Sequence, residues 1–580
     1  MHGPYHGPSS TPQYVSPTAT VHGGVDDPSH PMQPMSTSEY VGENGNNDRY
    51  RYPEQSVKFS ASPPTISPSQ PGGYTGSGTQ DDPYVVDWDL GDPESPYNWT
   101  KRKKWIITMQ LALCTFTVSF GSSSYSGGLT YIMADLNVSQ DVAVLGVSLY
   151  VLGFALGPLI FAPLGETFGR RAVFLTTLSA YTVLHLGGAL GKNLPTLLSC
   201  RLLSGTVGAS PLTNSGGVIS DIWNARERGA ATAIYATVPF LGPIVGPIIG
   251  GYLAQSPSLG WRFNFWLMMM LSAATLITGF LLTPETYTPV LLRWRAQKLM
   301  QASGGTEHYV STYDISRPKS LGQAVRRNLS RPFIFLFTEP IVACLAIYVA
   351  IVYGTLYALF SAFPIIFQRH RGFSAGEGGL AFLGVGLGVV MGTTSTNIQN
   401  RFYWRAMDKS DNGRAPPEAR LHMSIIGGVL CPIGLFWFAW TSQPHIHYLV
   451  SIFAGVPFGI GVAQILQGLT AYVMDAYGLY FASAIAATVV LRSIGGAIFP
   501  LFSTSMFNAL GDQWAMSVFG FMSAVCMPMP IIFFKYGWWI RSKSKLAYHN
   551  PEPRSNVPSR PETVISHTDK KDATVIEAAV

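Results

Sequence analysis

The chain has 580 residues, 47% hydrophobic and only 12% charged, against about 25% charged for a soluble globular protein, which excludes an ordinary soluble enzyme or binding domain. The formal net charge of +6 is scattered over loops, which excludes a nucleic-acid-binding face and leaves the basic residues as signals of membrane topology. The five cysteines, Cys114, Cys200, Cys344, Cys431 and Cys526, lie in apolar segments without CxxC spacing or neighbouring histidines, so neither a disulfide framework nor a metal centre is expected.

Residues 1–104 are rich in Gly, Pro, Ser, Tyr and Asn and lack the aliphatic content to bury a core, so a disordered cytoplasmic tail is expected. No apolar run follows Met1 to make a cleavable signal. The tail ends in the basic run Lys101 to Lys104, which holds the N-terminus inside by the positive-inside rule. From Trp105 onward the sequence predicts twelve helical spans, near 105–125, 142–163, 172–191, 195–221, 230–254, 262–282, 333–356, 376–398, 421–441, 446–471, 479–504 and 514–536, each close to the roughly 20 residues that cross a bilayer. Alternate loops carry Arg170 and Arg171, Arg226 and Arg228, then Arg401, Arg405, Lys409, Arg414 and Arg420. That bias places both termini in the cytosol.

A polar loop at 283–332 carries eight Lys or Arg residues and divides the spans into halves at 105–282 and 333–540, followed by a cytoplasmic tail at 541–580. Gly153 and Gly157 in span two are echoed by Gly384, Gly388 and Gly392 in span eight. Paired halves are a common plan of secondary transporters, which bind their cargo near the midplane. The fold class is therefore all-α membrane protein, twelve transmembrane helices in two six-helix halves.

Span five contains Gly242, Gly246 and Gly250 at i, i+4 and i+8, with Pro243 and Pro247 beside them and Gly251 following. On a helix the glycines form one smooth stripe that lets another helix approach closely. The prolines are expected to kink it. Span four carries Arg201, an ionisable residue inside the membrane and by that fact a functional candidate. Glu339 stands before Pro340 in span seven, where a bend is expected, and Arg492 in span eleven is its nearest intramembrane cation. Gln110, Asn214, Tyr353, Tyr357, Gln464 and Gln467 are the polar and aromatic residues expected to line a greasy cavity. Asn137-Val138-Ser139 is a glycosylation sequon in the first external loop; Asn98 and Asn328 also fit the pattern, on the cytoplasmic side.

The stretch Gly165-Glu166-Thr167-Phe168-Gly169-Arg170-Arg171 resembles the loop 2–3 motif of the major facilitator superfamily, in the form found in fungal drug:proton antiporters with twelve spans. It departs from the superfamily pattern at Ala162, where a glycine is usual, and at Glu166, where an aspartate is usual. The resemblance implies a conformational latch of Glu166, Gly169, Arg170 and Arg171, to which Asp221 and Arg228 belong at the end of span four and the loop after it. Cys200-Arg201-Leu202-Leu203-Ser204-Gly205 is similar to the span-four motif, whose arginine is implicated in proton coupling, and Glu339 is the acidic candidate for the same role. Gly242 to Gly251 looks like the span-five antiporter motif, characteristic of exporters. Pro284-Glu285-Thr286-Tyr287, Thr338-Glu339-Pro340-Ile341 and Val490-Leu491-Arg492-Ser493 extend the likeness across the membrane region.

No GxxxxGK[ST] pattern occurs, so an ion gradient rather than ATP is expected to drive the protein. The reading is a proton-coupled efflux pump, not an enzyme and without cofactor or metal, that exports small amphipathic molecules such as drugs or the cell's own toxic metabolites. A monomer in the plasma membrane is expected, in preference to the vacuole. A polyamine exporter would need more intramembrane carboxylates than Glu339, Asp221 and Glu166 supply. A membrane sensor signalling through the long tail is the alternative of another class.

Overall fold

Each predicted span is helical over most of its described length in the computed structural model, which describes residues 74–89, 91–224, 227–315, 321–410, 415–478, 481–544 and 547. The first half comprises α1 (Lys101–Ser123), a short α2 (Leu129–Leu136), α3 (Gln140–Phe168), α4 (Arg170–Leu190), α5 (Leu194–Ile222), α6 (Arg228–Gln255) and α7 (Phe263–Leu282). Two helices follow in the central segment, α8 (Thr288–Ala302) and α9 (Leu321–Thr338). The second half comprises α10 (Pro340–Phe363), the consecutive α11 (Ala375–Leu380), α12 (Phe382–Thr394) and α13 (Thr396–Asp408), then α14 (His422–Thr441), α15 (Tyr448–Tyr477), α16 (Phe481–Cys526) and α17 (Pro528–Ser542).

Ten helical stretches among the described residues are long and apolar enough to cross a membrane. The stretch Ser483–Ser542 holds the last two predicted spans, interrupted at Gly511, whose φ of 73° suits glycine alone. The 29-residue α5 is absent from the ten because Arg201, Asn214, Asp221 and many hydroxyls dilute its apolar character. Span seven starts later than predicted: Glu339 is extended (φ −109°, ψ 98°) and Pro340 opens a new helix, as expected where proline disfavours helix in the residue before it.

The glycine echo between halves is an echo in packing. A side chain at Gly153 or Gly157 would strike α5 at Gly205, Thr206 and Ala209, and one at Gly384, Gly388 or Gly392 would strike α15 at Ile452, Val456 and Ala463. The same pair of spans is therefore brought to backbone contact in each half. Between the halves, α3 lies on α16, and α6 on α11 and α12.

The expectation of an unstructured tail up to residue 104 is corrected for the described residues 74–89 and 91–100, and the described parts of the central segment, 283–315 and 321–332, are folded as well. β1 (Tyr84–Val86) runs parallel to β2 (Tyr309–Ser311), pairing Tyr84 with Tyr309 and Val86 with Ser311. Val86, Leu292 and Ala296 form a small buried cluster behind the strands. Asp92 pairs with Arg295, and Arg293 grips Asp314 with two bonds of 2.8 and 2.9 Å. Composition judged the segment on its own; its burial comes from partners some 200 residues later. Residues 1–73 and 548–580 lie outside the described residues.

Candidate functional site

α6 stays helical from Arg228 to Gln255 through Pro239, Pro243 and Pro247. Its glycine stripe lies on α1: a Cβ at Gly242 would meet the Ser119–Phe120 backbone, at Gly246 the Ser123 hydroxyl, and at Gly250 the Ser124 carbonyl. Ser123 Oγ donates to the Gly242 carbonyl (3.3 Å) and Asn264 Nδ2 to that of Gly250 (3.2 Å), so side chains of α1 and α7 bond to the backbone of the glycine stripe itself. A second face meets the other half. There Gly251 abuts Ala375, and Pro247 and Ile248 abut Gly379. The amide of Gly376 donates to Gln255 Oε1 (3.2 Å), and Thr130 Oγ1 to Gln368 Oε1 (3.2 Å). α6 thus fills the seam between the halves at the end opposite the chain termini.

At the termini end, Arg170 opens α4 and reaches α5, with Nη1 donating to Asn214 Oδ1 (3.1 Å) and Nε 3.5 Å from Asp221 Oδ2. Its guanidinium also faces the Tyr287 ring at 5.0 Å. Asn214, expected in the cavity, belongs to this cluster. Glu166 lies at its edge, exposed yet near enough to feel the charge of Arg170 without a hydrogen bond or ion pair to it, whereas Glu285 sits at its centre, a residue with no role assigned from sequence. The Glu285 carboxylate is 5% exposed and accepts the backbone N–H groups of Arg170 (3.0 Å), Arg171 (3.1 Å), Thr286 (3.0 Å) and Tyr287 (3.0 Å). It thereby caps the positive end of α4. Gly169 makes room for it, with a φ of 97° and a Cβ position that the carboxylate would occupy. Arg171 donates to the Phe280 carbonyl (3.0 Å), and the side chain of Arg228 lies outside the described residues. The second half repeats the pair, since Arg420, just before α14, binds Asp475 of α15 at 2.8 Å with its guanidinium 3.4 Å from the Tyr403 ring.

Arg201 is 2% exposed, enclosed rather than extended toward the membrane surface. Its Nε donates to Gly146 O (2.8 Å), Nη1 to Gly121 O (2.7 Å) and Nη2 to Ser122 O (3.1 Å), and the Tyr150 and Tyr125 rings cover it at 4.2 and 4.9 Å. These bonds join α5, α3 and the end of α1. Ser122 in turn shares a 3.0 Å hydrogen bond with the Tyr357 hydroxyl across the seam, and Tyr353 donates to Tyr357 (3.4 Å). Arg492 of α16 is half-buried with its guanidinium 5.2 Å from the Tyr353 ring.

The remaining polar candidates for the cavity are used inside their own halves. Gln110 donates to Thr275 O of α7 (2.8 Å), Gln464 bonds to Gly392 O and Ser395 Oγ, and Gln467 bonds to Thr393 (3.1 Å) and Thr396 (2.7 Å). Only Tyr353 and Tyr357 of the expected set face the seam. Glu339 is 4% exposed and accepts from Tyr477 Oη (3.1 Å) and Ser544 Oγ (2.6 Å) at the termini end, with no ion pair to Arg492. Asn137 is exposed at the opposite end, with a left-handed φ of 52° where α2 stops.

Comparison with known proteins follows the same outline. The Major Facilitator Superfamily profile matches residues 111–500. Over 475 residues the chain is 49% identical to the MFS-type efflux pump MFS2 of Trichophyton rubrum, a match covering 82% of this chain and 79% of the relative. It is 48% identical over 475 residues to the major facilitator superfamily multidrug transporter mdrA of Aspergillus fumigatus (82% and 77% covered), and 42% identical over 475 residues to the efflux pump FUB11 of Gibberella moniliformis (82% and 79% covered). Among solved structures, the E. coli xylose transporter XylE in a partially occluded inward open conformation superimposes with a TM-score of 0.54 at 18% identity, covering 75% of this chain and 98% of XylE, a likeness of fold. Two halves of membrane-crossing helices, α6 in the seam between them, and these relatives place the chain in one family: it belongs to the Major Facilitator Superfamily.

Proposed function

We propose that the protein is a monomeric, proton-coupled efflux pump of the plasma membrane, with both termini in the cytosol, that exports small amphipathic molecules such as xenobiotic drugs or toxic metabolites of its own cell. The names of its relatives, efflux pumps and a multidrug transporter, support the direction of transport. The observation that carries the mechanism is α6, seated by glycines on α1, by Pro247, Ile248 and Gly251 on α11, and by Ile244 on α12 at Gly386. Small residues on both faces let two rigid halves close tightly there and part again without unpacking large side chains.

Arg201 does not itself give up a proton; it holds the end of α1 in register with α3 and α5, so that Ser122 presents its hydroxyl to Tyr357. Glu339 is the proton carrier in this reading. Its carboxylate is held by two hydroxyl donors at the break between α9 and α10, and a proton arriving there displaces one of them and frees the break to bend. Cargo and proton then favour opposite openings of the seam, which gives exchange.

Inverted membrane vesicles with an imposed pH gradient test this reading. Labelled amphipathic compounds should accumulate only with the gradient, and Glu339→Gln should reduce that accumulation at least tenfold while the purified variant remains folded. Equal movement with and without a gradient would mean a facilitator.

A further inference from the structure

Two arginines lie deep among the helices, in opposite conditions. Arg201 spends its guanidinium on three carbonyls and two tyrosine rings. Arg492 forms no hydrogen bond or ion pair among the described residues, and its Nε is buried without an acceptor. A guanidinium keeps its proton in any protein environment, so the charge on Arg492 is permanent. A charge so placed calls for a counter-charge or water.

The position of Arg492 narrows what that partner is. It lies eleven residues after Phe481, the first residue of α16, or about 17 Å along the axis, near the middle of a hydrocarbon layer of about 30 Å. Gly496 is one turn further on the same face, and a Cβ there would stand 3.0 Å from the Tyr353 ring and 3.0 Å from Val151 of α3 in the other half. That face of α16 is therefore turned to the seam. Beyond Tyr353, hydroxyls continue through Tyr357 to Ser122 on α1. The candidate counter-ion on its own side, Glu339, is engaged by Tyr477 and Ser544.

We infer that Arg492 determines specificity by receiving an anionic group of the cargo, a carboxylate or its equivalent, while the cargo's apolar body lies along Tyr353 and Tyr357. The inference rests on the export reading and names its substrate class. A planar guanidinium pairs with a carboxylate through two parallel hydrogen bonds, and the tyrosine faces suit a flat or aliphatic body. A polycationic cargo would meet a fixed like charge.

The test uses the full-length protein in detergent and two probes of the same shape, 1-naphthoate and neutral 1-naphthamide. Wild type should bind naphthoate at least tenfold more tightly than naphthamide; Arg492→Gln should abolish the difference by weakening naphthoate alone. Arg492→Lys, which keeps the charge and loses the two-pronged geometry, should bind naphthoate with intermediate strength, and it decides the matter if the glutamine variant is not monodisperse. Equal binding of the two probes by wild type, no naphthoate binding, or a preference that survives in either variant undiminished would overturn the inference. Gradient-driven export of neutral compounds by a protein indifferent to naphthoate would leave the export reading standing alone. Naphthoate binding without transport of any compound would remove the export reading and keep the site.

Discussion

Glu285 holds the N–H groups of Arg170 and Arg171 at a helix start 115 residues earlier in the chain, together with those of Thr286 and Tyr287 that directly follow it. Bonds to a charged acceptor are each worth about 1.5–3 kcal/mol, so Glu285→Ala should lower stability by about 3 kcal/mol, read as a drop of several degrees in the melting temperature of the purified protein. Glu285→Gln should lose less. The tetrapeptide around Glu285 was visible in the sequence, but its partner was not, because the partner is backbone. Arg201 is similar: its intramembrane charge was legible, while the three carbonyls that absorb it carry no sequence signal. The polar side chains Gln110, Gln464 and Gln467 looked like cavity residues for the same reason, since a sequence shows that a buried amide needs partners and not which helix provides them. Asp92 supplies a pH test. Burial alone would raise its carboxyl, but the bond from Arg295, the Glu94 amide and the charge of Arg295 outweigh it and hold the group below its ordinary value of 3.8. A depressed folded value means that Asp92 stabilises the strap of residues 74–100 above pH 3.8 and stops doing so as pH falls through the lowered value. Hydrogen exchange of β1 should therefore rise at acid pH in wild type, and Asp92→Asn should show the faster exchange already at pH 7.

At the scale of the element, α6 was the most legible part of the chain, because glycine at every fourth position leaves a helix one smooth side. Which half that side meets was not legible. The stripe lies on α1 within its own half, and the seam is served by the adjoining face with Pro247 and Gly251. A bulky side chain at Gly251 should therefore wedge the seam without disturbing α1. Gly251→Trp should expose Ser126→Cys, a position buried in the seam beside Pro247 and Ala375, to a membrane-impermeant thiol reagent from the end opposite the termini, several-fold faster than in the Ser126→Cys protein alone. Unchanged labelling would show that α6 does not govern opening at that end. The break before α10 was half legible: proline after Glu339 announced it, but a smooth bend inside one span was expected where the chain instead ends one helix and starts another.

For the whole molecule, the two-half plan was readable from span count and the recurring glycines, since both follow from apolar length and close packing. The strap was not, because a short strand shows its burial only beside its partner. The boundary of a harmless truncation moves accordingly. Removing residues 1–73 should leave efflux within about twofold of wild type, while removing 1–100 strips β1 and Asp92 from their partners, with Tyr97, whose hydroxyl donates to the Ser220 carbonyl of α5 (3.2 Å), and should reduce the yield of folded protein. Loss of cellular output with the shorter deletion, at unchanged efflux, would instead identify a sensor that signals through its tail.

The duplicated pair of Arg170 with Asp221 and Arg420 with Asp475 has a consequence for turnover. Each pair joins neighbouring elements of a single half, α4 to α5 and the start of α14 to α15, so neither need break when the halves separate. They act as rivets inside two moving plates rather than as a lock between them. Both pairs are largely shielded from water, and salt screens such pairs little, so in the proposed exchange cycle neither the rigidity of each plate nor the parting of the close-fitting surfaces of α6, α11 and α12 should change much with ionic strength.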